Sequence, residues 1–186
     1  MAKLIVRAVR PDEWEHVREF RIEALRDEAA PIAFTATLEQ AVAHPDEVWQ
    51  RRALAGSEDA GPRARQRCLV AVDGDRWCGT LTVLITEPEE VSFIGETTSK
   101  RIADVVAVYV TPAARGNGVI QALLDAAAEW ALAQRVPKLQ LFVHTQNLRA
   151  QRAYAKSGFE FTGEATNIDE SHELKMTRPL RAPALD

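Results

Sequence analysis

The chain has 186 residues, a formal net charge of −4, and 46% apolar against 27% charged residues. That is the balance of an ordinary globular domain large enough to bury a core. The negative charge argues against a dedicated nucleic-acid binder. No apolar run reaches the ~18 residues of a membrane span, and the 4 histidines are scattered without metal-ligand spacing. Residues 1–7 lack the apolar core of a signal peptide, so a cytoplasmic protein is expected, with Cys68 and Cys78 as buried free thiols rather than a disulfide.

Leu4 to Val9 reads as a strand. Pro11-Asp12 opens a helix with Trp14, Val17, Phe20 and Ala24 on one face, and Pro31 breaks it. Ala33 to Gln40 reads as a connector, and a helix follows around Asp46 to Leu54. Gly56 to Gln66 is polar and reads as a mobile loop. Arg67 to Val72 and Trp77 to Ile85 form a hairpin around Asp73-Gly74. Glu87 to Lys100 is a polar, mostly acidic loop. Strands and helices then alternate to Phe161. Asn167 to Glu170 reads as a turn, Leu174 and Met176 as inward positions of the last strand, and 181–186 as a frayed tail. This order predicts one α+β domain over 1–186, with one mixed sheet and helices on both faces.

The most informative stretch is Val105 to Asp125. Val105 to Val110 are nearly all apolar and β-branched or aromatic, as in a strand covered on both faces. Arg115-Gly116-Asn117-Gly118 then leads into a helix whose apolar face carries Ile120, Leu123, Leu124, Ala127 and Ala131. A glycine turn at a helix start leaves backbone N–H groups unpaired, and the peptide dipoles add about half a positive charge there. Such a site suits a phosphate or diphosphate, and Arg115 adds a full charge. A P-loop would need a Lys-Ser/Thr pair, which is missing. A dinucleotide fingerprint would need glycine where Gln121 stands, and an acidic residue ending the next strand, where His144-Thr-Gln-Asn147 stands. A third pattern is Arg/Gln-x-x-Gly-x-Gly/Ala, the acyl-CoA loop of the GNAT superfamily of N-acyltransferases. Arg115 to Ile120 resembles it at every fixed position but the last, where Ile120 replaces a small residue.

A second signature follows. Lys138 to Val143 reads as a strand, and Asn147-x-x-Ala150-x-x-x-Tyr154 then places three residues on one helical face. Asn147 is a favourable N-cap and Gly158 a favourable left-handed stop before Phe159. Strand, Asn-x-x-Ala-x-x-x-Tyr and Gly-Phe together resemble the second GNAT signature. The resemblance covers residues 101 to 165 well.

The resemblance implies a mostly antiparallel mixed sheet whose two central strands, about 101–110 and 138–143, run parallel and splay apart. It implies acetyl-CoA as co-substrate, no metal, and transfer of an acetyl group to a primary amine by direct attack. The cofactor would contact Val108, Tyr109, Val110, Arg115, Gly116, Asn117, Gly118, Val119, Ile120, Gln121 and Asn147, with a backbone N–H near Val108 or Tyr109 facing the thioester. Tyr154 would protonate the leaving thiolate. Asp104 falls where many family members carry a glutamate and would serve as base, through a bridging water because aspartate is short. Its plain alternative is a carboxylate paired with Arg101 or Lys100. Glu96 is a second candidate base, against a solvated loop charge. The partner would be a small-molecule or peptide amine, not nucleic acid or membrane, and a homodimer is compatible with this. An acyl-CoA-binding module without transferase activity is the competing function. The acceptor itself is not legible.

Overall fold

The computed structural model describes residues 4–168 and 171–180. The tail expected at 181–186 lies outside the described residues, as does part of the turn expected at 167–170. The chain runs β1 (Leu4–Ala8), α1 (Trp14–Leu25), α2 (Leu38–Ala43), α3 (Asp46–Gly56), β2 (Gln66–Asp73), β3 (Arg76–Thr86), β4 (Ile102–Val110), α4 (Val119–Ala133), β5 (Lys138–His144), α5 (Leu148–Lys156), β6 (Glu160–Ile168) and β7 (Ser171–Pro179). The strands form one sheet in the order β1-β2-β3-β4-β5-β7-β6. β4 and β5 are its parallel pair, and the remaining neighbours are antiparallel.

Three local expectations are corrected. The first helix ends at Leu25, short of Pro31, which sits instead in a separate 3-10 turn, Ala30–Ile32. The connector at Ala33 to Gln40 contains the start of α2. Thr37 accepts from the Gln40 N–H at 3.2 Å while the Gln40 side chain accepts from the Thr37 N–H at 2.9 Å, a reciprocal cap that supports even a short helix. The stretch Gly56 to Gln66 is not all loop: Gly56 closes α3, Glu58–Ala60 forms a 3-10 turn, and Ser57 and Ala64 are buried.

Side chains alternate across a strand, so each strand feeds two layers. Leu69, Ala71, Leu81, Val83, Val105 and Leu141 turn to the face covered by α4. Val119, Leu123, Leu124, Ala127, Ala128 and Ala131 of that helix are buried against them. Cys68 and Val70 turn the other way, to a layer with Val9 and Val17. Cys78 belongs to the first layer and Cys68 to the second, so both thiols are free and buried on opposite faces.

Gly79 sets how closely the start of α4 approaches the sheet. A Cβ there would lie 2.8 Å from Val119 Cγ1, 3.0 Å from Leu123 Cδ1 and 3.3 Å from the Tyr109 carbonyl. Val119 opens the helix that follows the glycine turn, so this contact fixes where the turn sits. Gly79→Ala is expected to destabilise the fold by about 1–3 kcal/mol, the usual penalty for overpacking. Urea unfolding would measure it, and unchanged stability would mean that α4 shifts freely.

Candidate active site

The site begins where β4 and β5 part. The two strands pair at Ala103 with Leu139 and at Asp104 with Gln140, and no further. At that last position Gln140 Nε2 donates to Asp104 Oδ1 at 2.7 Å. Asp104 is 0% exposed, and its second carboxylate oxygen has no hydrogen-bond partner among the described residues. Burial pushes its pKa up to about 6, against the opposing effects of the Gln140 hydrogen bond and the Lys175 charge. Beyond it β4 bulges: its register against β3 slips between Thr80 and Thr82, and Ala107 takes φ 53°. A bulge bends a strand and re-aims its groups, and this one faces the opening between the strands.

The opening holds two lobes. The first, of about 650 Å³, is lined by β4 from Val105 to Val110, by Phe142 to His144, by the 115–121 turn and by α5. The second, of about 860 Å³, lies toward the segment after α1. Residues 105–107, Phe142, Phe34 and Glu173 line both.

At one end of the first lobe stands the glycine turn. Gly116 and Gly118 take φ 81° and 79°, a backbone shape that other residues seldom adopt. Gly118 is the N-cap of α4 and offers no capping side chain. The first helical bond runs from the Ala122 N–H to the Gly118 carbonyl at 3.0 Å. The N–H groups of Val119, Ile120 and Gln121 therefore have no acceptor within the helix, as an anion site requires. Arg115 does not stand free beside them. Its Nε donates to the Val110 carbonyl at 3.1 Å, and its Nη2 pairs with Asp27. Asp27 is largely buried but its pKa is lowered, because the Ala29 N–H and Arg115 outweigh the opposing cost of burial. Arg149, Arg152 and Lys156 add positive charge on the lobe-facing side of α5. Uncapped N–H groups and four cationic side chains suit this end of the cleft to an anionic ligand.

α5 is fixed at both ends. Asn147 Oδ1 accepts from the Ala150 N–H at 3.1 Å, and its Nδ2 donates to the Ile32 carbonyl at 3.4 Å. At the far end Phe159 N–H donates to the Tyr154 carbonyl at 3.0 Å and Gly158 N–H to the Ala155 carbonyl at 3.1 Å, the paired bonds of a Schellman stop. The Tyr154 and Phe159 rings pack 6.1 Å apart. Tyr154 is thereby held at the first lobe. Burial, and secondarily the charge of Glu173, push its phenol pKa well up. Its proton stays on throughout the neutral range.

Of the expected contact residues, Val108, Tyr109, Val110, Arg115, Gly116, Gly118, Val119, Ile120, Gln121, Asn147 and Tyr154 all line the first lobe, whereas Asn117 does not. Asp104 lines neither lobe. It pairs with neither Lys100 nor Arg101, since Arg101 Nε bonds Glu87 at 3.0 Å. Glu96 is exposed and lines neither lobe. Tyr109 donates its hydroxyl to Glu23 at 3.1 Å. Sequence reasoning missed Asp27, Glu173 and the basic residues of α5. Arg149, Arg152 and Lys156 stand at i, i+3 and i+7, so helical spacing already put them on one face.

The sequence matches the model of the acetyltransferase (GNAT) family over residues 14–159. It is 34% identical over 62 residues to a streptothricin acetyltransferase from Escherichia coli, a match covering 33% of this chain and 36% of that enzyme. The fold resembles a GNAT-family acetyltransferase from Streptococcus pneumoniae, with TM-score 0.73 and 19% identity over 96% of this chain and 100% of that one. It also resembles the PaiA N-acetyltransferase from Thermoplasma acidophilum, solved with coenzyme A, with TM-score 0.72 and 17% identity over 95% and 99%. At such identities these structural likenesses speak of fold alone. Among the described residues no helix is long and apolar enough to cross a membrane.

The fork generates a pH prediction. The folded pKa of Asp104 lies above its unfolded value, so the native state keeps a proton that the unfolded chain loses between about pH 4 and 6. Stability from this group falls as pH rises through that window, by about 3 kcal/mol. Asp104→Asn keeps an acceptor for Gln140 and cannot ionise. Its stability relative to the wild type is therefore expected to rise by about that amount from pH 4 to 7. Urea unfolding across that range checks it, and a flat difference would mean that the carboxylate is solvated.

Proposed function

The chain belongs to the acetyltransferase (GNAT) family, and from that premise we propose that it transfers an acetyl group from acetyl-CoA to a primary amine by direct attack. The observation that carries this reading is one cleft lined by an uncapped glycine turn at one end, by β4 beyond the strand fork and by a buried tyrosine. The backbone N–H groups of Val119, Ile120 and Gln121 would hold the diphosphate, with Arg115, Arg149, Arg152 and Lys156 supplying countercharge. The unpaired edge of β4, about Val108 to Val110, would receive the pantetheine arm. Acetyl-CoA supplies an activated thioester.

The remaining chemistry falls to side chains. An alkyl amine of pKa near 10 is only about a thousandth neutral at pH 7, so a proton must leave it before attack. We assign its uptake to Asp104 at one remove, through water. The buried carboxyl adjoins Val105, which lines both lobes, and titrates near pH 6, which suits a proton acceptor at neutral pH. A β4 N–H near Val108 or Tyr109 would face the developing oxyanion. Tyr154 would give its proton to the departing sulfur, and its raised pKa ensures that the proton is present to give. The same chemistry favours a cytoplasmic setting, where acetyl-CoA is made and used.

Two measurements test this. Calorimetry is expected to show clear binding of coenzyme A and a large loss with pantetheine, which lacks the phosphates. Equal affinities would exclude the turn as a diphosphate site. Tyr154→Phe removes one proton donor and almost no volume. Thiol release with a good amine acceptor is expected to fall by about 10²–10⁴, the usual worth of general acid catalysis, while coenzyme A affinity and melting temperature hold. Near-wild-type turnover would remove Tyr154 from the mechanism. Binding without thiol release from any amine would favour an acyl-CoA-binding module instead.

A further inference from the structure

The second lobe carries information about the acceptor. Its walls are largely apolar, with Leu25, Ile32, Phe34, Leu84, Phe93 and Phe142 among them. Two carboxylates, Asp27 and Glu173, line both lobes and so flank the junction. Asp27 is taken: it holds Arg115 and the Ala29 N–H. Glu173 accepts from the neighbouring Ser171 hydroxyl and makes no ion pair among the described residues. It stands on β7 opposite His144, where β5 ends, and its charge is felt by Tyr154. An ammonium group at the junction of the lobes would find Glu173 as its counterion.

A positive charge belongs to the second lobe alone. Arg21 lines the second lobe and not the first. Its guanidinium lies 4.3 Å over the Phe34 ring, and its Nη1 is buried without a hydrogen-bond partner among the described residues. It forms no ion pair there with a carboxylate. Glu28, which also lines this lobe, is exposed to solvent. Burial, and secondarily repulsion from Arg52, depress the Arg21 pKa to about 10, so it remains a cation at neutral pH.

We propose, resting on the transferase reading above, that the acceptor is a primary amine with an apolar body, its ammonium held by Glu173 where the two lobes meet. In the same proposal Arg21 rejects a second positive charge within the second lobe and favours a negative one. A buried cation with a vacant N–H is repelled by another cation and gains from an anion. Polyamines are thereby disfavoured, and ω-amino carboxylates or simple alkyl and aralkyl amines preferred.

The test uses three acceptors of one length and different far ends: aminocaproate, hexylamine and hexamethylenediamine, with shorter and longer homologues of each. Thiol release from acetyl-CoA would be followed with the full-length protein. The expected order of kcat/KM is aminocaproate, then hexylamine, then hexamethylenediamine, with about tenfold or more between the ends. Glu173→Gln is expected to raise KM for all three far more than it lowers kcat, and Glu173→Asp to recover part of the loss. Arg21→Gln is expected to bring the three acceptors together, while Arg21→Lys keeps their order at unchanged melting temperature. A diamine used as well as hexylamine by the wild type would overturn the proposal, as would a Glu173→Gln variant with unaltered KM. Thiol release from other amines but none of these series would also overturn it while leaving the transferase reading in place. Failure of every amine, with coenzyme A still bound, would end both.

Discussion

The constraint on which the site depends is the single side-chain bond between Gln140 and Asp104 at the last rung shared by β4 and β5. Parallel strands ordinarily continue side by side, since every unpaired backbone group left in an interior is costly. Here pairing stops after two residue pairs, and the next stretch of β4 lines a cleft instead. A buried carboxylate at the branching point is an expensive clamp, which its raised pKa reflects. The bulge at Ala107 completes the opening by bending β4 at the same level. Both lobes, the free edge of β4 and the place for Tyr154 follow from that separation.

Around the fork, charge is distributed by element. The turn before α4 and the inner side of α5 are positive, while the walls toward the second lobe are largely apolar with Arg21 set among them. Three links cross between these regions: Arg115 and Arg149 to Asp27, and Asn147 to the Ile32 carbonyl. The segment after α1 is therefore held by the same residues that frame the cofactor end. Closed ends on α5, one capped by Asn147 and one by the Schellman stop, keep Tyr154 from drifting.

Much of this is legible in the sequence. The glycine turn, the Asn147 cap and the hairpin at Asp73-Gly74 are local features, written in adjacent residues, and each lies where its spacing put it. The resemblance to a known family named the glycine-turn end of the first lobe, the end of β4, Asn147 and Tyr154, but not the segment after α1 or the end of β5. What escaped depends on contacts between residues distant in sequence. Asp27 lies 88 positions from Arg115, and Gln140 lies 36 from Asp104. No periodicity reveals such partners. Glu173 reaches the site because β7 inserts between β5 and β6, a matter of strand order. α2 escaped for another reason: with 6 residues it shows too few turns for an apolar stripe. Its only local mark was the Thr37–Gln40 cap.

The pairing of Arg115 with Asp27 has a kinetic side. In the reading proposed above, a diphosphate arriving at the turn must compete with an anion that belongs to the protein. Affinity is then the difference between two charge-assisted contacts rather than the full strength of one. In that reading the same carboxylate would be at hand when the spent cofactor departs. A resident rival of this kind would trade tightness of hold for speed of exchange, as suits a cleft that must be emptied after every cycle.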